Sequence, residues 1–199
     1  MKILALELST SRGSLAWLDG KTEFTREWPN DRKNSAAFFE NLQAVRRKLG
    51  APETIIVGLG PGSYAGTRIA ISAAIGIQLS SDARLIGYPS ICALECHSQE
   101  FCAIGDARRK SFFFARILKN EVIEGPTLFS EPELKARLES VEPATPVFSP
   151  ELLPQFQRSS ISFPSALILA RLAKESLRSF YLPPLEPIYL REPHITMPK

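Results

Sequence analysis

The sequence contains the same strand pattern twice, about 100 residues apart, and this duplication limits the folds open to the chain. Residues 3–6 form an apolar run that ends at Glu7, followed by a polar loop and two further predicted strands joined by a tight turn. Residues 101–105 form a second apolar run, which ends at Asp106 and is followed by the same succession. An internal repeat of this length bears directly on the fold. Two unrelated hairpins would give the same pattern, so the repeat alone leaves both explanations open.

Predicted helices complete each half of the chain. Residues 35–49 and 63–80 place apolar side chains at helical spacing in the first half. In the second half, residues 130–133 form a capping box for a short helix, and residues 165–180 indicate a longer one. The repeated unit of three strands and a helix resembles the actin, hexokinase and Hsp70 superfamily.

We therefore expect an α/β protein with duplicated actin-like (ribonuclease H-like) βββαβα lobes, each a mixed sheet flanked by helices. The first lobe is expected over residues 1–100 and carries the helices that would contact a partner. The second lobe is expected over residues 101–199. A chain of 199 residues buries roughly 70% of its unfolded surface, which is sufficient for one large core or two small ones.

The charge balance argues against a dedicated nucleic-acid-binding protein. Lysine and arginine number 24 against 21 aspartate and glutamate residues, so the net charge is +3 and the pI is about 8.8. Nucleic-acid-binding domains usually have a pI above roughly 9 and cluster their cations on one face. The two tight basic runs, residues 46–48 and 108–110, are typical of solvated surfaces. Direct contact of these runs with nucleic acid is left open.

The cysteines and the apolar runs indicate a cytoplasmic protein. Cys92, Cys96 and Cys102 cannot all pair, and they lie within or beside apolar segments, as buried thiols do in a reducing compartment. The apolar N-terminal run is interrupted by Glu7 and is too short for a signal peptide. No apolar stretch is long enough to span a bilayer, so no membrane contact is expected.

A glycine-rich segment, residues 60–68, enters the second predicted helix. Free backbone N–H groups at a helix N-terminus favour phosphate. The segment has neither the lysine of a P-loop nor the G-x-S-x-G spacing of a nucleophile elbow. The simpler interpretation is a glycine turn in which a serine caps the helix, with phosphate contact as the lesser alternative. The candidate residues for nucleotide or phosphate contact are Glu7, Ser9, Gly60, Gly62 and Ser63.

The helix predicted over residues 63–80 is apolar around most of its girth. Such a helix is either internal or packed on one side by another chain. Because a lobe of this size has one sheet, full internal burial is hard to arrange, and the small residues of the helix would let a neighbouring helix approach closely. We therefore interpret the helix as part of an interface. One apolar face comprises Ile69, Ala73, Gly76 and Ile77, and the nearly opposite face comprises Ile71, Ile75 and Leu79.

The histidine count argues against metal chemistry. The two histidines, His97 and His194, are far apart in the sequence, so the paired-histidine helix of metalloproteases is absent. Cys92, Cys96 and His97 have no fourth ligand near them in the sequence. Cys92 also falls in an apolar helix predicted over residues 91–96, where core packing is the simpler role. No metal site is expected.

Two acids keep an enzymatic alternative open. Glu7 and Asp106 end equivalent strands, where actin-like kinases place the acids that hold magnesium and position water. One acid on each side of a cleft could act as a general base. The surrounding loops lack a second glycine-rich phosphate loop, and Glu7 could instead accept hydrogen bonds from its own turn. This alternative is a stand-alone actin-like small-molecule kinase or ATPase.

Four segments resemble one protein family, in the same order along the chain. Residues 58–70 read Gly-Leu-Gly-Pro-Gly-Ser-Tyr-Ala-Gly-Thr-Arg-Ile-Ala, which is similar to the G-x-GPGSFTGLRIG signature of the TsaB (YeaZ) family. Residues 3–10 resemble the opening ILALDTST of that family, residues 105–109 its D-A-R-x hairpin, and residues 187–191 its closing P-x-YLR. The central signature is quite specific, and the other three are individually weak.

The resemblance implies a non-catalytic, glycoprotease-like subunit with an actin-like, two-lobed fold. Members of the family pair with a catalytic, metal-binding TsaD-like subunit through helices of the first lobe, and they also work with a TsaE-like ATPase. Together these proteins transfer a threonylcarbamoyl group to the adenosine next to the anticodon in tRNA. Without a partner, the subunit forms a homodimer through the same helices.

The resemblance also implies which residues and ligands take part. It implies no cofactor of the chain's own, leaves ATP or ADP at the partner interface open, and makes tRNA contact indirect, through the complex. The expected interface residues are Phe38, Phe39, Leu42, Arg68, Ile69, Ser72, Ala73 and Gly76.

The sequence departs from the family pattern in ways that bear on nucleotide contacts by individual residues. The departures indicate a divergent lineage and leave the expected scaffold role unchanged. They are Glu7 and Leu8 in place of Asp-Thr, Asn34 in place of the histidine before Ser35, Tyr64 and Ala65 in place of Phe-Thr, and Thr67 in place of leucine.

Overall fold

Two five-stranded mixed sheets form the protein in a computed structural model, which describes residues 1–30 and 35–191. Asn34 and His194 lie outside the described residues. The first half contains β1 (Ile3–Glu7), β2 (Arg12–Leu18), β3 (Glu23–Pro29), α1 (Ala36–Leu49), β4 (Thr54–Gly58), α2 (Tyr64–Ser81) and β5 (Arg84–Tyr88). The second half contains β6 (Glu100–Asp106), β7 (Ser111–Leu118), β8 (Glu121–Ser130), α3 (Glu131–Glu139), β9 (Val147–Ser149), β10 (Ser159–Ile161) and α4 (Ala166–Leu172).

Both sheets have the same strand order. The order is β3-β2-β1-β4-β5 in the first sheet and β8-β7-β6-β9-β10 in the second. In each half the first three strands are antiparallel neighbours, and the fourth strand pairs in parallel with the first and with the fifth. The predicted duplicated α/β fold is confirmed, because two unrelated hairpins would not share the pairing of their fourth and fifth strands.

The first sheet is covered on both faces. All five residues of β1 are buried, which requires packing partners above and below the strand. Successive side chains of a strand point to opposite faces. Accordingly, Leu4 and Leu6 join the core beneath α1 and α2, whereas Ile3 and Ala5 join a different core on the other face.

Helix α4 comes from the second half of the chain but packs on the first sheet. The Ala166 N–H donates to Ser14 Oγ on β2 at 3.0 Å, so a side chain of the first lobe binds the start of α4. Leu169 of α4 lies in the same core cluster as Ile3 of β1 and Phe113 of β7. The two halves therefore share one core, built around α4.

Helix α4 ends at Leu172, eight residues before the end that the sequence pattern predicted. Beyond α4, the chain first forms tight turns, in which the Lys174 N–H donates to the carbonyl oxygen of Arg171 at 3.1 Å and the Arg178 N–H to that of Glu175 at 3.3 Å, and it then binds distant segments. The Arg178 guanidinium donates to Tyr88 Oη at 2.8 Å, and Tyr181 exchanges two backbone hydrogen bonds with Gly87 of β5. The chain has therefore left the helix before residue 180 to reach β5, where Tyr181 forms an antiparallel bridge with Gly87.

Two other predicted elements differ from the structure near the joint between the halves. The helix predicted over residues 91–96 is a 3-10 turn, Ser90–Ala93, because Leu94 leaves it to form a β-bridge with Pro164. The sequence pattern predicts a strand over residues 121–125, but β8 continues to Ser130, because a register shift in the pairing with β7 accommodates the irregular backbone near Gly125.

Candidate partner interface and inter-lobe cleft

Helix α2 begins in the glycine-rich segment, as the capping interpretation predicted. Ser63 is its N-cap, and the serine Oγ accepts a hydrogen bond from the Gly66 N–H at 3.3 Å. The Ser63 N–H donates to the carbonyl oxygen of Ser9 at 2.6 Å. The start of α2 is therefore held against the turn between β1 and β2.

The inner face of α2 belongs to the core of the first lobe. Ile71 and Ile77, which the sequence pattern placed on two opposite apolar faces, are 6% and 3% exposed. The lobe therefore buries more of the helix than its single sheet suggested. The buried residues of α2 are Gly66, Thr67, Ala70, Ile71, Ala74 and Ile77.

The outer face of α2 is exposed and partly apolar. Ile75 is 41% exposed and Leu79 is 84% exposed. Between them Gly76 faces open space, because a Cβ added there would meet nothing within 4 Å. The distance between packed helices depends on the size of the side chains at their contact, so a glycine at this position allows a close approach. We call Arg68, Ser72, Ile75, Gly76 and Leu79 the α2 outer face.

The expected interface residues of α1 fall on two sides of that helix. Phe39 is 49% exposed, whereas Phe38 and Leu42 are buried in the core. Helical spacing explains the difference, since residues 38, 42 and 45 all face the sheet. The ring of Phe38 lies 4.9 Å from the ring of Phe39, measured between centroids. Phe38 therefore supports this surface from below, as a correction to its expected place on it, whereas Leu42, although largely buried, lines a groove along α1.

The expected interface residues of α2 lie on its outer face or at its edge. Arg68, Ser72 and Gly76 are exposed, and Ile69 and Ala73 are half-buried. The expected set omitted Ile75 and Leu79, although their apolar character at helical spacing was visible in the sequence.

A groove along α1 lies beside this surface. It has a volume of about 870 Å³ and is lined by residues that include Phe39, Gln43 and Arg46. Arg46 Nη2 donates to Ser80 Oγ near the end of α2 at 3.3 Å. The groove and the α2 outer face are therefore neighbouring parts of one surface of the first lobe.

A cleft of about 560 Å³ lies between the lobes, where β1 and β6 end. Three of the candidate phosphate residues, Ser9, Gly62 and Ser63, line it on the side of the first lobe. Asp106 and Arg108 line it on the side of the second lobe. The structure therefore brings these residues together, as expected for the equivalent loops of a duplicated fold.

The closing motif of the chain forms one wall of this cleft. The Ile188 N–H donates to the carbonyl oxygen of Leu59 at 2.8 Å. The ring of Tyr189 packs on the ring of Tyr64, with 5.3 Å between centroids. Two of the four segments that carry the family resemblance thus meet in space, although more than 100 residues separate them in the sequence.

Glu7 lies in the protein interior and not on the wall of the cleft. Its side chain is fully buried, and its Oε1 accepts a hydrogen bond from the Ser9 N–H at 2.6 Å. A Cβ at Gly58 would overlap the Glu7 carboxyl group and Ser90 Oγ, so glycine is required for this close approach. Gly60 lies beside the same group, and its N–H donates to Ser90 Oγ at 2.9 Å. Glu7 therefore supports the turn, as the structural interpretation of this acid predicted.

Asp106 is engaged by its own hairpin. Its Oδ1 accepts a hydrogen bond from the Arg108 N–H at 2.6 Å, and its Oδ2 pairs with the Arg108 guanidinium at 3.2 Å. Its N–H donates to Glu151 Oε1 at 2.6 Å. With Glu7 buried and Asp106 paired, the two acids do not form the couple across an open cleft that the kinase alternative requires.

Burial raises the pKa of Glu7 above its ordinary value of 4.5, against the opposing effect of hydrogen bonds from Ser9 and Ser90. A raised pKa means that the folded state binds more protons than the unfolded state between the two pKa values, so stability falls as pH rises through that range. Glu7→Gln removes the ionisation. We compare the free energies of unfolding of the wild type and Glu7→Gln, measured with urea at several pH values. The value for the wild type, relative to that for Glu7→Gln, should decrease as pH rises above about 4.5.

A matched control reverses the sign. Hydrogen bonds from the Ser130 hydroxyl and N–H hold the pKa of the exposed Glu133 below its ordinary value. Wild-type stability relative to Glu133→Gln should therefore decrease as pH falls toward that lower pKa. A flat difference between wild type and Glu7→Gln at all pH values would show that Glu7 has no raised pKa.

Within residues 1–30 and 35–191, no group of three or more His, Cys, Asp and Glu side chains is placed to hold a metal ion. Cys92 is buried, and burial raises the pKa of its thiol to about 12, which disfavours the thiolate that binds metals.

Among residues 1–30 and 35–191, no helix combines the length and the apolar character needed to cross a bilayer.

The solved structures that are similar to this chain include two that match most of its length. No protein-family model matches the sequence, and neither does any curated protein. One matching structure is that of "an uncharacterized protein with similarity to peptidase YEAZ from Pseudomonas aeruginosa", with a TM-score of 0.74, 20% identity, and coverage of 96% of this chain and 99% of that chain. The other is YeaZ from Pseudomonas aeruginosa, with a TM-score of 0.69, 18% identity, and coverage of 87% and 91%.

The chain has the YeaZ fold. This result agrees with the resemblance to the TsaB (YeaZ) family that the four sequence segments carry. At such identities the similarity establishes the architecture, and it covers the YeaZ chain almost from end to end. The predicted duplicated lobes and the expected relationship to the YeaZ structures are therefore confirmed at the level of the fold.

Proposed function

We propose that this protein is a non-catalytic scaffold that binds and activates a TsaD-like subunit, which transfers a threonylcarbamoyl group to the adenosine next to the anticodon in tRNA. The observation that carries the proposal is the α2 outer face, where Ile75 and Leu79 are exposed around Gly76. Contiguous exposed apolar residues mark surfaces that another protein covers. The YeaZ fold and the glycine-rich signature that forms α2 support the choice of partner.

The proposed complex uses the first lobe as its contact surface. The α2 outer face supplies the centre of the contact, and Phe39 of α1 extends it. The TsaD-like subunit supplies the metal and the catalytic residues, a TsaE-like ATPase joins the complex, and ATP or ADP binds at the partner interface. Without its partner, the chain would pair with a second copy of itself through the same face, in the cytoplasm.

The inter-lobe cleft is the observation that favours the alternative, an actin-like small-molecule kinase or ATPase. Its volume of about 560 Å³ lies within the range of roughly 300–1,000 Å³ typical of small-molecule sites. However, Glu7 is buried away from the cleft wall, and Asp106, which lines the cleft, pairs with Arg108, so the two acids do not face each other across the cleft. Tight ATP binding by the isolated chain, with phosphate release abolished by Glu7→Ala, would favour this alternative.

Reconstitution tests the proposed function directly. TsaD-like and TsaE-like proteins are incubated with tRNA, ATP and threonylcarbamoyl-adenylate, with and without this chain, and modified adenosine is quantified. We expect product only when the chain is present, because the TsaD-like subunit needs its partner to adopt an active state. An equal yield without the chain would contradict the activator role.

A further inference from the structure

Four cations form a continuous band across the end of α1 and the neighbouring edge strand β3. They are Arg26 on β3 and Arg46, Arg47 and Lys48 in the last turn of α1, and all four are exposed. Arg26 Cζ and Lys48 Nζ lie 5.1 Å and 5.8 Å from the centroid of the same ring, that of Phe24. We call these four residues the basic band.

The geometry of α1 spreads its three cations over a wide arc. Successive residues of a helix are 100° apart. Arg46 faces α2, where it donates to Ser80 Oγ, and Lys48 faces β3, where it lies over Phe24. Arg47 lies between these directions and opposite the buried face of the helix, so it points outward. The basic band therefore runs from the end of α2 to the edge of the first sheet.

Strand alternation separates the charges of β3 by sign. Phe24, Arg26 and Trp28 share the face toward α1, as the packing of Trp28 on Phe38 shows. Glu23 and Glu27 lie on the opposite face, where Arg171 and Arg12 pair with them. The acids of this strand are thus neutralised, and its cation is left on the side of the basic band.

No carboxylate neutralises the basic band in the described part of the chain. None of its four cations takes part in an ion pair between residues 1–30 and 35–191. The one acid of α1, Glu40, lies seven residues before Arg47, about 10 Å along the helix. Attraction to the helix C-terminus accounts for cations in the last turn of α1, but it does not account for Arg26.

We propose that the basic band binds the phosphodiester backbone of tRNA beside the partner interface. This inference rests on the proposed function, since the hydrogen bond from Arg46 to Ser80 places the band at the end of α2, the proposed contact helix. Exposed, unpaired arginine and lysine side chains bind phosphates without reading base sequence. Each phosphate contact also releases counterions, which makes the affinity depend steeply on salt.

The test compares two double variants that each remove two positive charges. Arg47→Gln with Lys48→Gln weakens the basic band, and Lys135→Gln with Lys174→Gln removes exposed charges from the second half of the chain. The affinity of the complex with the TsaD-like protein for labelled tRNA is measured over a range of salt concentrations. We expect the band variant to bind roughly tenfold more weakly and to reduce the slope of log K against log salt by about 2, and the control to match wild type.

Two further measurements separate this inference from the proposed function. First, the affinity of each variant for the TsaD-like protein is measured without RNA. If only the band variant loses affinity in this experiment, the band contacts an acidic protein surface, and the RNA proposal is overturned. The isolated chains are also titrated with tRNA at low salt. If the wild-type chain forms no complex with the TsaD-like protein, the proposed function fails. The inference about the basic band is still supported in that case if the isolated band variant binds tRNA more weakly than the isolated control variant does. Equal tRNA binding by both double variants overturns it.

Discussion

A leucine in place of Gly76 is expected to block binding of the TsaD-like partner while making the fold slightly more stable. The new side chain starts in open space on an exposed helix face, because a Cβ at this position meets nothing within 4 Å. Replacing a glycine inside a helix removes roughly 0.5–1 kcal/mol of entropic disadvantage. The same side chain would hold a partner helix away from α2, and we expect at least about a tenfold loss of affinity, or ~1.4 kcal/mol.

The measurements are the dissociation constant of the complex and the urea unfolding midpoint of the isolated chain. Ala136→Leu is the matched control, since it adds a leucine to an exposed position on α3, in the second lobe. It should leave partner affinity unchanged. If Gly76→Leu bound the partner with wild-type affinity, the α2 outer face would not be the interface. If it bound more weakly while its urea midpoint was unchanged or higher, the loss of affinity could not be due to unfolding.

An alanine in place of Gly66 is expected to have the opposite effect on stability, although the position lies on the same helix. A Cβ at Gly66 would overlap the backbone carbonyl oxygen of Leu8, which cannot move without displacing the turn after β1. We expect a loss of about 3 kcal/mol, at the upper end of the range for an overpacked core. Urea unfolding of the purified variant measures it.

Gly76→Ala provides the comparison for this substitution. Both variants add one methyl group to α2, so the change in helix propensity is the same and only the surroundings differ. Gly76→Ala should raise the free energy of unfolding, while Gly66→Ala lowers it. Equal stability of the two variants would mean that α2 does not approach the turn after β1 as closely as the structure shows.

The strands and their duplication could be predicted from the sequence because the signals for them are local. Apolar runs that end at Glu7 and Asp106 mark the central strands, and the turns after them fix the hairpins. The repeat then made it possible to transfer the topology of one half to the other. For the same reason the capping role of Ser63 was visible, since a cap and its helix lie within three residues.

The errors occurred where residues distant in sequence decide the structure. The end of α4 depends on Arg178, whose partner Tyr88 lies 90 residues away. The orientation of Phe38 and Phe39 depends on the position of the sheet, because helical spacing shows that the two rings point differently but not which of them faces inward. Likewise, nothing in the sequence near Glu7 shows that Ser90 and the backbone of Gly58 enclose it.

The packing of α4 on the first sheet delays the folding of the N-terminal half during synthesis. The face that contains Ile3 and Ala5 lacks the helix that packs on it until residues 166–172 have been made. At roughly 5–20 residues per second, the 72 residues between positions 100 and 172 take about 4–15 seconds to make. During that interval the nascent chain contains all five strands of the first sheet, with an apolar face that α4 does not yet cover. Chaperones bind exposed apolar surfaces of this kind, and other nascent chains can aggregate with them.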